Sequence, residues 1–197
     1  MATHMTGSEK YVPMLPKSPQ IDWNGVVNGD TLNTVIESDA ILLDVIRDKL
    51  GKLGTKRGCD LGTCGCCAVL IDGEPRLSCL TLAQEADGCK ITTVEGLADG
   101  HHLHPIQQTF AEYGGSQCGF CTPGFLVVIS ALLEKNKDPN ENEIKCAIDG
   151  NLCRCTGFQP IVDSVKEAAK ILANSESITD STDPKSDPHT GVPSETK

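Results

Sequence analysis

Hydrophobic residues between positions 21 and 50 change their spacing once. Apolar positions first alternate with polar ones on both sides of Asn28-Gly29, which predicts two strands joined by a type I′ hairpin turn. Over residues 42–50 the apolar spacing becomes three to four, which predicts a helix that Gly51 ends. This order of elements is typical of the start of a β-grasp fold, although a generic small α+β domain fits the same residues equally well.

A second alternating stretch follows a loop rich in Cys and Gly. Residues 68–77 predict a hairpin that turns at Gly73-Glu74, and a short helix over 80–85 and a strand over 90–94 come after it. Beyond this strand the chain is rich in Gly, Asp and His. The first domain is therefore expected to end near Gly100.

From Pro105 onward the apolar spacing is helical throughout. It predicts helices over residues 105–113, 123–135, 141–148 and 160–173. Pro105 suits the first position of a helix. The second of these helices is apolar nearly all round, so it should lie at the centre of its domain. The second half is therefore expected to be a four-helix domain.

Composition narrows the function classes. The chain has 197 residues and a net charge of −10, from 17 Lys and Arg against 27 Asp and Glu. This length suits one or two small domains rather than a large catalytic domain, and the acidic balance disfavours nucleic acid as a partner. A signal sequence and an apolar run of the ~20 residues that a membrane span needs are both missing, so a cytoplasmic location is expected. Eleven Cys in that reducing compartment are expected to be metal or cluster ligands rather than disulfides.

Four cysteines of the first half have an informative spacing. Four residues separate Cys59 from Cys64 and two more separate Cys64 from Cys67, which is the plant-type [2Fe–2S] spacing, and Cys79 supplies a distant fourth thiolate. Glycines in this loop let it wrap a cluster with positive φ and aim backbone N–H groups at the sulfurs. The first half is therefore expected to be a plant-type ferredoxin-like β-grasp domain.

Cys66 competes with Cys67 for the third ligand position. A ligand at Cys66 would break the two-residue spacing, and by alternation its side chain should point away from that of Cys67. Cys67 is therefore favoured. Zinc is the alternative metal, but structural zinc sites usually pair two short Cys hairpins, which suits this spacing poorly.

A second set of cysteines comes in two distant pairs. Cys118 and Cys121 precede one predicted helix, and Cys153 and Cys155 precede another. A four-thiolate site forms only if the residues between the pairs fold back, which couples cluster binding to folding. Helix N-termini carry partial positive charge, so their position beside the pairs stabilises an anionic cluster. On spacing alone, zinc remains an alternative here.

The remaining candidate ligands lack partners at metal-binding spacing. Cys89 and Cys146 are expected to be plain buried or half-buried thiols. His101, His102 and His104 cluster beside Gly and Asp, where His is more often solvated than metal-bound.

Three motifs together carry a family resemblance. GCDLGTCGCC at 58–67, QCGFCTPG at 117–124 and GNLCRCTG at 150–157 resemble the small iron–sulfur subunit, or N-terminal iron–sulfur domain, of the molybdenum hydroxylases. This family includes xanthine dehydrogenase, aldehyde oxidoreductase and 4-hydroxybenzoyl-CoA reductase. The resemblance covers about residues 21–173, and the chain departs from the family at Cys66, where a small residue such as Ala is usual.

The resemblance implies two [2Fe–2S] clusters. The β-grasp domain of the family holds a distal cluster, and the helical domain holds a proximal one that is nearer a molybdopterin on a large partner subunit. The implied ligands are Cys59, Cys64, Cys67 and Cys79 for the distal cluster, and Cys118, Cys121, Cys153 and Cys155 for the proximal one. The resemblance also implies that Gln117 and Cys155 contact the pterin.

Electron transfer is the function that these features favour. The sequence offers no candidate nucleophile, acid/base carboxylate pair, Gly-rich nucleotide loop or flavin site, so catalytic residues are expected on other subunits. The resemblance implies transfer of single electrons between the molybdopterin of a large subunit and FAD, or another acceptor, on a medium subunit of a dimer of heterotrimers. A zinc-stabilised interaction module and a free-standing two-cluster ferredoxin are the alternatives.

The expected organisation has four parts. They are an N-terminal extension at 1–20, a ferredoxin-like domain at 21–100, a helical domain at 101–173 and a polar tail at 174–197. The tail is rich in Ser, Thr, Asp and Pro, so it cannot bury enough apolar surface to offset the entropy of ordering. Both ends are expected to run over the partner subunits.

Overall fold

The computed structural model describes residues 17–179. The expectations for the N-terminal extension before residue 17 and for the tail from residue 180 onward lie outside the described residues. Within the described part, none of the helices is long and apolar enough to cross a membrane.

The first hairpin forms as the sequence predicts. Strand β1 spans Gln20–Val27 and strand β2 spans Asp30–Glu37. Asn28 and Gly29 join them with φ angles of 54° and 90°, and positive φ at both central residues is the mark of a type I′ turn. This turn matches the twist of the flanking strands and sets their antiparallel register.

The second hairpin turns one residue earlier than predicted. Strands β3 (Ala68–Ile71) and β4 (Glu74–Leu77) are joined by Asp72 and Gly73, with φ angles of 51° and 85°. Asp-Gly is a favoured type I′ pair, whereas Glu rarely adopts positive φ. Glu74 therefore starts the return strand instead of closing the turn.

The five strands form one mixed sheet in the order β2-β1-β5-β3-β4. The short strand β5, at Lys90–Thr92, runs parallel to β1 and antiparallel to β3. This arrangement is the β-grasp sheet that the sequence predicts. Trp23 lies at the centre of the core beneath it and donates its indole N–H to the carbonyl of Ala83 at 2.8 Å.

The predicted helices of this domain are shorter and less regular than expected. Helix α1 spans Leu42–Asp44 and continues as a π-helical segment, Val45–Lys49. The helix predicted over 80–85 is replaced by two 3₁₀ turns, Ser78–Leu80 and Ala83–Ala86. The chain is extended between these turns because the carbonyl of Thr81 accepts a hydrogen bond from the backbone N–H of Leu42.

The helical domain contains the four predicted helices. They are α2 (Pro105–Glu112), α3 (Thr122–Lys135), α4 (Glu141–Ile148) and α5 (Gln159–Thr179). His104 and Asn140 cap α2 and α4, each in a reciprocal pair of hydrogen bonds with the side chain three residues on. Helix α5 continues past its predicted end at residue 173, because the chain there has no Gly or Pro to stop it.

Helix α3 lies at the centre of the helical core, as its apolar pattern predicts. Phe125 and Ile129 on this helix are fully buried against Phe110 of α2 and Val165 of α5. The opposite side of α3 lies against β3. One helix therefore serves both the core of its own domain and the contact with the sheet.

The loops that carry the cysteines of the two domains meet backbone to backbone. The N–H of Leu152 donates to the carbonyl of Cys64 at 3.0 Å, and the side-chain amide of Asn151 donates to the carbonyl of Gly65 at 3.2 Å. A Cβ built on Gly124 would lie 2.4 Å from the Gly65 carbonyl oxygen. Gly124 is therefore required for the two loops to approach this closely.

Replacing Gly124 with Ala should weaken this junction. The added methyl group overlaps backbone atoms that cannot move aside cheaply, at a cost of about 1–3 kcal/mol. We expect a lower melting temperature in calorimetry. Gly150→Ala is the matched control, because a Cβ at Gly150 meets nothing within 4 Å, and equal destabilisation by the two variants would contradict the close approach.

Candidate iron–sulfur sites

The first thiol set consists of Cys59, Cys64, Cys67 and Cys79. The first three lie in the loop before β3, and Cys79 lies in the 3₁₀ turn after β4. The thiols of Cys59 and Cys64 are in hydrogen-bonding contact, as are those of Cys67 and Cys79, and Cys64 also lies close enough to Cys67 to affect its pKa. The hairpin β3–β4 thus returns the chain so that Cys79 meets Cys67 and completes the set.

The second thiol set consists of Cys118, Cys121, Cys153 and Cys155. The thiol of Cys118 contacts that of Cys155, and the thiol of Cys121 contacts that of Cys153. Charge interactions link Cys118 with Cys121 and Cys153 with Cys155. Helices α3 and α4, which lie between the two pairs in sequence, fold back and close the set.

Both sets fit a [2Fe–2S] cluster by the chemistry of their donors. Four Cys thiolates are the ligands that such a cluster takes. In each set the thiols contact one another in two pairs. Among the described residues, no three His, Cys, Asp or Glu side chains are grouped to hold a single metal ion.

Hydrogen bonds and burial shift the pKa values of two thiols in the first set in opposite directions. Hydrogen bonds, the largest from the Thr63 hydroxyl and the next from the N–H of Leu61, lower the pKa of Cys59 to about 6. Burial raises the pKa of Cys67 to about 11. Iron binds the thiolate, so the hydrogen bonds at Cys59 favour the form that a cluster requires, whereas burial at Cys67 opposes it.

The second set also contains one thiol with a raised pKa and one with a lowered pKa. Burial, with the thiol of Cys153 as the next cause, raises the pKa of Cys121 to about 12. At Cys153 burial acts in the same direction, but hydrogen bonds from the hydroxyl and N–H of Thr156 outweigh it and lower the pKa. Each set therefore contains one thiol that a threonine hydroxyl stabilises as the anion.

Cys66 lies between the two sets and points into the helical domain. It is buried among residues of the helical core, including Cys121, whereas Cys67 is buried with Leu43 and Cys79. The Sγ of Cys66 is 3.8 Å from the carbonyl oxygen of Cys64. The side chains of Cys66 and Cys67 thus point apart, as their alternation predicts.

The other sulfur and imidazole candidates lie away from both sets. Cys89 is half-buried, next to Asp72 and Asp87, as predicted. Cys146 is exposed on α4, so the prediction of a buried or half-buried thiol is wrong there. His104 caps α2, where its Nδ1 accepts the N–H of Ile106 at 3.2 Å.

The second set opens onto the surface. Cys118 and Cys155 are exposed, and Gln117 beside them is exposed as well. Phe120 and Leu152 add large apolar side chains that are 48% and 56% exposed. A partner that covers this surface would approach the second thiol set directly.

Three residues with roles at these sites were not predicted from the sequence. Thr63 and Thr156 are hydrogen-bonded to cysteine sulfurs, and Asn151 joins the two loops. Thr63 and Thr156 are sequence neighbours of Cys64 and Cys155, and Asn151 is two residues before Cys153. Their closeness in sequence to candidate ligands was the only feature that could have indicated these roles.

Comparison with known families agrees with two iron–sulfur sites. A family model described as "2Fe-2S iron-sulfur cluster binding domain" matches residues 27–110, and one described as "[2Fe-2S] binding domain" matches residues 93–166. The fold and the thiol sets thus define a protein with two [2Fe–2S] domains.

Individual relatives narrow the family. The chain is 43% identical over 148 residues to the nicotinate dehydrogenase small FeS subunit of Eubacterium barkeri, which covers 75% of this chain and 94% of the relative. It is 42% identical over 157 residues to an aldehyde oxidoreductase of Megalodesulfovibrio gigas, but there it spans 78% of this chain and 17% of the relative. The crystal structure of quinoline 2-oxidoreductase from Pseudomonas putida 86 has a chain that superposes with a TM-score of 0.77 at 40% identity, over 81% of this chain and 99% of that one.

The chain belongs to the family of small iron–sulfur subunits of molybdenum hydroxylases. It is an electron-transfer subunit with two [2Fe–2S] clusters, one in each domain.

Replacing Asn151 with Ala should destabilise the junction between the two thiol sets. Asn151 is buried and its amide donates to the Gly65 carbonyl, which also accepts the N–H of Ala68, and the loss of one such hydrogen bond costs about 0.5–1.5 kcal/mol. We expect a lower melting temperature and faster hydrogen exchange at the N–H of Leu152. Asn142→Ala on the exposed face of α4 is the control, and a similar loss in both variants would argue against a special role for Asn151.

Proposed function

We propose that this chain is the electron-transfer subunit of a molybdenum hydroxylase complex, with the first thiol set holding a distal [2Fe–2S] cluster and the second a proximal one. The observation that carries this proposal is the arrangement of eight thiols in two sets of four, joined by the hydrogen bond from Leu152 to Cys64. Each cluster would accept and release one electron at a time.

The ligand assignment rests on which thiols contact each other. The thiol of Cys66 contacts that of Cys64, but Cys66 is packed into the helical core, whereas Cys67 contacts Cys79 and so closes the first set. We therefore assign Cys59, Cys64, Cys67 and Cys79 to the distal cluster. We assign Cys118, Cys121, Cys153 and Cys155 to the proximal cluster.

The short connection between the sets supports their role as consecutive centres. From the sulfur of Cys64, covalent bonds lead to its own carbonyl, one hydrogen bond leads to Leu152, and Cys153 is the next residue. Tunnelling decays more slowly through covalent and hydrogen bonds than through space. An electron can therefore cross between the domains without leaving the bonded network.

The exposed side of the second set is the proposed contact with the large subunit. Gln117 and Cys155 are exposed there beside Phe120 and Leu152. We propose that Gln117 and Cys155 face a molybdopterin of that subunit. Electrons pass from there through this chain to FAD, or another acceptor, on a medium subunit, and the whole assembly is a dimer of heterotrimers in the cytoplasm.

Purification of the native complex tests these partners. Mass spectrometry of the proteins that copurify should identify a large molybdenum-binding subunit and a flavin-binding subunit. A stable monomer that carries both clusters would favour the free-standing ferredoxin instead. A colourless chain that contains zinc and lacks an EPR signal on reduction would favour the interaction module.

Cys155→Ala should remove the proximal cluster alone. The variant leaves three thiols in the second set, while the contacts within the first set remain. We expect loss of one of two [2Fe–2S] EPR signals and loss of substrate turnover in the complex. Turnover that persists without that signal would contradict the electron path.

The Cys66→Ala and Cys67→Ala variants separate the two readings of the third ligand. A [2Fe–2S] cluster contains two irons, so the intact chain should hold about four. Cys66→Ala should keep about four irons, as should Cys89→Ala and Cys146→Ala, while Cys67→Ala should lose about two. The reverse result for the first pair would move the third ligand to Cys66.

A further inference from the structure

The side chain of Thr156 makes two hydrogen bonds whose directions are fixed. Its Oγ1 accepts the backbone N–H of Phe158 at 3.2 Å and lies 3.1 Å from the Sγ of Cys153. A hydroxyl has one proton to donate. Because a ligating thiolate has no proton to donate, the hydroxyl is the donor to the sulfur of Cys153.

The turn that holds Thr156 is built around an unusual backbone conformation. Gly157 and Phe158 have φ angles of 67° and 69°, and a positive φ is rare for a bulky residue such as Phe. The ring of Phe158 packs edge-to-face on that of Phe125, with the ring centroids 6.1 Å apart. This packing stabilises the conformation that brings the N–H of Phe158 to Thr156. Residues held in such conformations cluster at functional sites.

Backbone donors add to the same sulfur. The N–H of Thr156 lies 3.4 Å from the Sγ of Cys153, and the N–H of Cys155 is also hydrogen-bonded to it. Cys153 is half-buried, so water cannot readily replace a donor that is removed, and hydrogen bonds are stronger in such surroundings. The side-chain hydroxyl is the one of these donors that a substitution can remove without changing the backbone.

We propose that Thr156 is a positioning residue whose hydroxyl raises the reduction potential of the cluster held by Cys153. This inference rests on the assignment of Cys153 as a ligand under the proposed function. A cluster held by Cys153 would take one electron from the molybdenum centre of the proposed large subunit; its sulfur ligands would then carry more negative charge, and no bond to a protein atom would be made or broken. The hydroxyl proton stabilises the reduced state more than the oxidised state, because the sulfur carries more negative charge when the cluster is reduced. This is how hydrogen bonds to the sulfurs set the reduction potential.

The consequence is a separate control of the two clusters within one chain. Thr63 makes the corresponding hydrogen bond to Cys59 in the first thiol set, but Thr63 is exposed to water. Thr156 is half-buried. The Thr156 hydroxyl therefore favours reduction of the second-set cluster through a hydrogen bond that water does not replace.

The test is an EPR-monitored redox titration of the assembled complex with Thr156→Val and Thr156→Ser. Val has nearly the same shape as Thr without the hydroxyl, whereas Ser keeps it. We expect Thr156→Val to lower the midpoint potential of the second-set cluster and to leave that of the first-set cluster and the iron content unchanged. Thr156→Ser should keep the potential close to that of the unmodified protein.

Thr122→Val is the matched control. Thr122 follows Cys121, and its hydroxyl donates to Ser116 at 2.9 Å. Its replacement should move neither potential. Thr63→Val should leave the second-set potential unchanged and should move the first-set potential less than Thr156→Val moves the second, because water can replace the hydroxyl of the exposed Thr63.

Two results would overturn the inference. One is an unchanged second-set potential in Thr156→Val with its cluster intact, and the other is an equal drop in Thr156→Ser. If Thr156→Val does not retain the cluster, Thr156→Ala takes its place in the same titration. Failure of the proposed function looks different, since the unmodified protein would then lack about two irons or one of its EPR signals.

Discussion

The proximity of the two thiol sets depends on the hydrogen bond between the backbones of Leu152 and Cys64, which joins their loops. Thiolate sets carry negative charge and repel each other, so the contact between their loops must offset that repulsion. Here the loops of the two sets meet at Gly65, whose carbonyl accepts the side-chain amide of Asn151 as well as the N–H of Ala68. The β-grasp sheet presents one loop, and the other, with Asn151 and Leu152, follows helix α4.

The two domains are joined by more than this contact. Helix α3 packs on β3, and the Nζ of Lys135 at its end lies 2.7 Å from a carboxylate oxygen of Glu74 in β4. That ion pair is exposed, so it contributes at most about 1 kcal/mol. The apolar face of α3 and the close approach at Gly124 therefore hold the domains in place, while the ion pair adds orientation.

The sequence predicted much of the fold because its strongest signals are local. Asn28-Gly29 and Pro105 each act through their own backbone preferences, and both have the expected conformation. The helix expected over 80–85 was wrong because the backbone of Thr81 bonds to Leu42, a residue far away in sequence. The turn at Asp72-Gly73 was missed by one position, although its positive φ angles suit Asp better than Glu.

The cysteine pattern predicted which thiols come together, but not what surrounds them. Spacing distinguishes Cys67 from Cys66 because alternation sends their side chains in opposite directions, and the structure has this arrangement. The hydrogen bond from Asn151 to Gly65 depends on the packing of two domains, which periodicity along one segment does not encode. The same holds for the turn at Phe158, whose conformation depends on a ring from another helix.

Because the two thiol sets are separated along the chain, they can form in a defined order during synthesis. The first set is complete once residue 79 has been synthesised, whereas the second needs residue 155. A chain still attached to the ribosome can therefore fold its first site while the second is missing half of its thiols. Leu152, which locks the two loops together, emerges only at the end of that interval, so the junction closes over a first domain that is already formed.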